Sequence, residues 1–134
     1  MPIEYRIDLQ RHLVVARALG TLSDADVFRY QETVWSRADI NGFDELMDMG
    51  TVESIIVPSR DRVRQLATLA CQMDNPPAGG RFAVVAPQDD AYGLARMYET
   101  WRNLHAAVKK EIGVFRTLPP ALEFLGLPRD FQPF

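Results

Sequence analysis

Apolar and polar residues alternate with a period of two from the start of the chain: Ile3, Tyr5, Ile7 and Leu9 stand against Glu4, Arg6, Asp8 and Gln10. Such alternation predicts a half-exposed, edge-like strand. After a break at Gln10-Arg11, the run from His12 to Ala18 is more continuously apolar and ends at Gly20, which predicts a second, more central strand paired with the first as a hairpin. Ser23, with Asp26 three residues later, approximates a capping box. It opens a helix whose Val27, Phe28, Tyr30, Val34 and Trp35 make a stripe wide enough to lie on a sheet. Asn41-Gly42 breaks that pattern. Phe43 to Met49 is predicted as a third strand with Asp44, Glu45 and Asp48 projecting at the rim of the sheet, followed by a loop from Gly50 to Val57.

Pro58 and Ser59 start the next helix, in which Val63, Leu66, Ala67, Ala70 and Cys71 fall at the spacing of one helical face. The stretch from Asn75 to Gly80 stops it. Phe82 to Ala86 is a short, wholly apolar run of the kind that forms a strand covered on both faces. Pro87 ends it, Asp89 or Asp90 offers a capping oxygen, and a long helix runs to near Val108. Lys109-Lys110 marks a turn and Glu111 to Phe115 a last strand. Thr117 caps a closing helix that tolerates Pro119 and Pro120 in its first turn, where their missing N–H groups have no helical acceptor. The expected architecture is α/β: a mixed five-stranded sheet that begins with an antiparallel hairpin and continues in βα units, with helices mainly on one face. A single domain over 1–127 and a tail over 128–134 follow, and the pattern leaves open whether Phe131 and Phe134 dock.

Composition narrows the class of protein. With 134 residues, 47% hydrophobic and 25% charged, the chain is in the range of one globular domain with an ordinary core. A net charge of −3 with interspersed signs argues against a nucleic-acid surface. No apolar run reaches the length of a membrane span and no secretory leader pattern opens the chain, so a cytoplasmic location is expected. Cys71 is the one cysteine and lies on an apolar helix face, which reads as a small buried hydrophobe.

Val15 to Gly20, Glu45-Leu46-Met47-Asp48, Phe82 to Ala86 followed by Tyr92-Gly93-Leu94-Ala95-Arg96-Met97-Tyr98, and Val114-Phe115-Arg116 before the closing helix together carry a resemblance. Over about Ile3 to Leu125 the chain resembles the SpoIIAA-like branch of the STAS superfamily, whose broader members include anti-sigma factor antagonists and transporter regulatory domains. The resemblance implies a non-catalytic regulatory or protein-interaction domain. Antagonists of that kind carry an Asp-Ser-Ser-Gly-like motif with a phosphorylated serine. Val57-Pro58-Ser59-Arg60-Asp61 stands in its place, without the acidic residue before the serine or the glycine after it, which argues against a phosphorylation switch.

Two surfaces are candidates for binding. Ser59, Arg60, Arg62 and Arg64 gather cations and free N–H groups in the first turns of a helix, a seat for phosphate or for a protein partner's carboxylate; the same residues also read as a solvated helix face. On the long helix, Ala91, Leu94, Ala95 and Tyr98 form one apolar stripe and Met97, Trp101, Leu104 and Val108 a second. The second stripe either meets a neighbouring helix or, with Tyr92, Met97 and Trp101, walls a groove for a small apolar ligand, a peripheral membrane contact or a second copy in a homodimer. SpoIIAA-like resemblance raises the ligand and membrane options. Chemistry is sparse: His12 and His105 have no partner at metal spacing, and Asp44, Asp48, Asp89 and Asp90 lack the lysine of a receiver-type site. There is no phosphate loop or nucleophile elbow, so no catalytic residue, metal or cofactor is expected.

Overall fold

The computed structural model describes residues 2–73, 80–104 and 110–134. Its elements are β1 (Ile3–Asp8), β2 (Leu13–Leu22), α1 (Asp24–Val34), a 3-10 turn (Ala38–Ile40), β3 (Asp44–Ile55), α2 (Arg60–Met73), β4 (Arg81–Val85), α3 (Asp89–Asn103), β5 (Glu111–Phe115) and α4 (Leu118–Leu125). The loop expected across 75–79, His105, the helix end near Val108 and Lys109 lie outside the described residues.

The strands form one five-stranded sheet in the order β1-β2-β3-β4-β5, with β1 antiparallel to β2 and every later pair parallel. Right-handed crossovers that always step the same way put α1, α2 and α3 on the same face. The period-two pleat then sorts each strand between two cores. Val14, Ala16, Met47, Phe82 and Val84 face Tyr30 and Val34 of α1 and Ala91 and Ala95 of α3. Leu13, Val15, Leu46, Ala83 and Val85 face the other way, onto Ala121, Leu122 and Leu125 of α4. Gly126 stops α4 in the left-handed conformation, φ 70°, that a residue with a Cβ adopts at a cost.

The C-terminal tail docks. Phe131 is buried in the α4-side core, the Arg6 Nε donates to the Pro133 carbonyl at 2.7 Å, and the Arg17 guanidinium lies 4.5 Å from the Phe134 ring centre. The tail thereby covers the hairpin on this face beside α4.

Two expectations about β3 are corrected. The strand does not end at Met49 but runs to Ile55, so the expected loop is mostly strand. Irregularities in the β2–β3 register between Arg17 and Leu19 and between Gly20 and Thr21 carry pairing past Gly50, with Leu22 opposite Ile55. Thr51 Oγ1 donates to the Ala18 carbonyl at 2.8 Å, and the Gln88 side chain donates to the carbonyls of Met49 and Val52, each at 3.2 Å. Nor does Glu45 project at the rim. It sits between Val14 and Phe82 in the middle of the sheet and is 4% exposed.

Candidate functional site

Ser23 caps α1 as its sequence predicts: Asp26 N donates to Ser23 Oγ at 3.4 Å and Ser23 N to Asp26 Oδ2 at 3.0 Å. This fixes where α1 leaves β2 and crosses the sheet. α1 touches α2 near its two ends. At one end Arg62 Nε meets Asp24 Oδ2 at 2.7 Å; at the other the Gln31 amide reaches Met73 Sδ at 3.7 Å. Between those ties a cavity of about 140 Å³ remains over the sheet residues Met47, Phe82 and Val84. Val27, Met47, Val63, Leu66, Val84 and Leu94 are among the residues of its wall, which is overwhelmingly apolar.

The solvent end is lined by Asp24, Ile56, Pro58 and Arg62. Here the Arg62 guanidinium covers the Phe28 ring at 4.1 Å, and Ile56 and the adjacent Val57 are 60% and 67% exposed. The Arg62 hydrogen bond holds the Asp24 carboxyl below its ordinary range.

Polar groups reappear at the inner end. Tyr30 donates its hydroxyl proton to Glu45 Oε2 at 2.7 Å and accepts from the Trp35 indole N–H at 3.3 Å. Lys110 Nζ stands 3.8 Å from Glu45 Oε1 and 3.6 Å from the Trp35 ring centre. Burial pushes the Glu45 carboxyl up, while Lys110 and the Tyr30 hydrogen bond pull it down; the balance is upward. Burial, and then the charge and hydrogen bond of Glu45, push the Tyr30 hydroxyl well above 10. A buried carboxylate is tolerable in such a place because it is both paired and hydrogen-bonded.

The residues proposed from sequence are not all gathered here. Of the basic patch, Arg62 reaches the cavity mouth, whereas Arg64 pairs with Asp61 at 3.3 Å and lies 5.8 Å from the Trp101 ring centre. Ser59 Oγ accepts from Arg62 N at 3.1 Å and so serves as the cap of α2, with Arg60 exposed beside it. Tyr92, Met97 and Trp101 do not wall the cavity. Trp101 faces α2 through Arg64, and Tyr92 lies under the Arg116 guanidinium at 4.0 Å. Of the second stripe, Trp101 meets α2 while Leu104 is 68% exposed, and Val108 lies outside the described residues; the first stripe, Ala91, Leu94, Ala95 and Tyr98, lines the cavity. Cys71 is half-buried, its sulfur accepting from Arg102 at 3.7 Å. His12 is exposed and stacks 5.1 Å from Phe43.

Each of the acids has its own local partner: Asp44 accepts from Arg81 N, Asp48 from Gly50 N and Asp90 from Ala91 N, while Asp89 pairs with Arg116. Among the described residues no three His, Cys, Asp or Glu side chains are grouped to hold a metal, and no helix is long and apolar enough to cross a membrane.

No protein-family model matches the chain, and no curated protein matches it. A crystal structure of an uncharacterised protein from Shewanella loihica PV-4, described as a DUF3478-family protein with a SpoIIAA-like fold, is similar at a TM-score of 0.55. The similarity covers 92% of this chain and 93% of that one, at 14% identity. The fold is SpoIIAA-like. On this SpoIIAA-like frame the cavity occupies the three-helix face of the sheet, and Glu45, Tyr30 and Lys110 are the residues that sequence reasoning missed as a group. A signal for them existed: an acid flanked by Phe43, Leu46 and Met47 in a predicted strand has to find partners if that strand is central.

Proposed function

We propose that this protein is a non-catalytic, cytoplasmic carrier or sensor that holds a small apolar molecule between α1, α2, α3 and the sheet. The observation that carries this reading is the cavity itself, about 140 Å³ with an almost wholly apolar wall. An apolar space of about 150 Å³ is large enough for a benzene-sized guest, and this one opens to solvent beside Asp24 and Arg62. A void kept in a core costs stability, so its presence across the helix face favours an occupant. The regulatory, partner-binding reading has less support, because Arg62 and Arg64 of its proposed surface are engaged by Asp24 and Asp61.

Titration with toluene, followed by methyl and backbone NMR and by thermal melting, tests the proposal. Shifts centred on Val27, Val63 and Leu66 are expected. At a hundredfold excess over Kd the ligand stabilises by about 2.7 kcal/mol, which raises Tm by roughly 5 to 10 °C. A melting point that stays fixed, with no shift at those residues, would refute the reading.

A further inference from the structure

The inner end of the cavity has a chemistry of its own. We infer that the cavity selects a neutral, ring-sized guest carrying one hydrogen-bond donor, such as a phenol or alcohol hydroxyl, seated on Glu45 and Tyr30. This rests on the carrier reading and names the class of molecule carried.

Size comes first. Asp24 lines the mouth and Gln31 the inner end, seven residues along one helix, so the space runs about 10 Å from end to end. That length and a volume of about 140 Å³ suit one ring with a small substituent.

Polarity comes from which protons are already committed. The Tyr30 hydroxyl proton is given to Glu45 Oε2 at 2.7 Å, and one of its lone pairs receives the Trp35 N–H. Gln31 turns its amide N–H₂ to Met73 Sδ, leaving its carbonyl oxygen as an acceptor. Glu45 lies at the junction of the apolar cavity and a polar recess lined by Trp35, Arg102 and Lys110. A carboxylate has about four lone-pair sites, so Tyr30, Trp35 and Lys110 together leave about one on Glu45 for a guest. These three side chains therefore offer acceptors to a guest.

Charge decides between donors. Lys110, 3.8 Å from Glu45 Oε1, already balances the carboxylate, so a cationic guest gains little for its desolvation. An anionic guest would meet Lys110 and Arg102 as well as Glu45, but would have to give up its hydration inside an overwhelmingly apolar wall. A neutral hydroxyl avoids both costs and makes a charge-assisted bond.

Toluene, 4-methylphenol and 4-methylbenzoate have nearly the same shape and differ at the end that would meet Glu45. The affinity of the intact protein for each, measured by calorimetry at neutral pH, is the test. The phenol is expected to bind about tenfold more tightly than toluene, and the benzoate at least about tenfold more weakly. In Glu45→Gln the phenol's advantage over toluene, both measured on that variant, should shrink to about threefold or less, because the bond loses its charge. Equal affinities for toluene and the phenol, tightest binding of the benzoate, or a phenol advantage that survives Glu45→Gln would each overturn the inference while leaving the carrier reading standing. Binding of none of the three would remove both. The comparison on the unmodified protein decides the matter even where Glu45→Gln folds poorly.

Discussion

Arg62 Nε stands 2.7 Å from Asp24 Oδ2 and thereby joins the first turn of α2 to the first turn of α1 across the cavity mouth. The guanidinium also lies over Phe28, 4.1 Å from the ring centre, so one side chain closes the gap with both its charge and its flat face. Because the two partners are 40% and 32% exposed, water screens the pair and its share of global stability is small. Its effect should be on traffic instead. Arg62→Ala is expected to cost under about 1 kcal/mol in urea denaturation. It should speed both uptake and release of toluene several-fold, read by NMR exchange at Val27 and Leu66. Unchanged exchange rates would show that guests enter elsewhere.

Filling the cavity should separate stability from binding. Leu66→Phe places a larger apolar side chain into the space, and cavity filling of this kind commonly adds about 0.5 to 2 kcal/mol. The variant is expected to melt higher than the parent and to lose toluene affinity at least about tenfold. A variant that melts higher and still binds normally would mean that toluene sits outside the α1–α2 gap.

Glu45 makes a pH prediction whose sign can be worked out. Its folded value is raised above the ordinary 4.5, so between those two values the native state holds more protons than the unfolded one. The contribution is fully present below 4.5 and is lost as pH rises through the raised value. Wild type minus Glu45→Gln stability, followed by urea melts from pH 4 upward, should therefore fall with rising pH. A difference that rises instead would mean that Lys110 and Tyr30 outweigh burial.

On the opposite face, Phe131 is the anchor of the tail. Phe131→Ala removes a buried ring and is expected to cost about 3 kcal/mol. Phe134→Ala, at a side chain 45% exposed, should cost less than about 1 kcal/mol. Equal losses in denaturant melts would shift the anchoring role to the end of the chain.

The strand periods, the Ser23 cap, the apolar Phe82–Ala86 run and the Pro-rich start of α4 each specify local geometry through neighbouring residues, and they made the SpoIIAA-like architecture legible. The far half of β3 was not legible, because its pairing depends on irregularities in register and on the Gln88 side chain arriving from another element. Glu45 misled for a similar reason. An acid reads as exposed until its partners are known, and Tyr30 and Lys110 come from distant parts of the chain. Least visible was the cavity. A gap between α1 and α2 belongs to no residue, whereas the stripe on α3 that carries Trp101 was conspicuous and does not line it.

That α1 is pinned to its neighbour at Asp24 and Gln31, with empty space beneath its middle turns, bears on how the native molecule breathes. Amide hydrogens along α1 have fewer packed atoms resisting their exposure than those of β2, β3 and β4, and they should trade for deuterium earlier. A guest slipped under the helix would slow that trade in α1 more than in β2, β3 and β4, turning the helix into a reporter of occupancy.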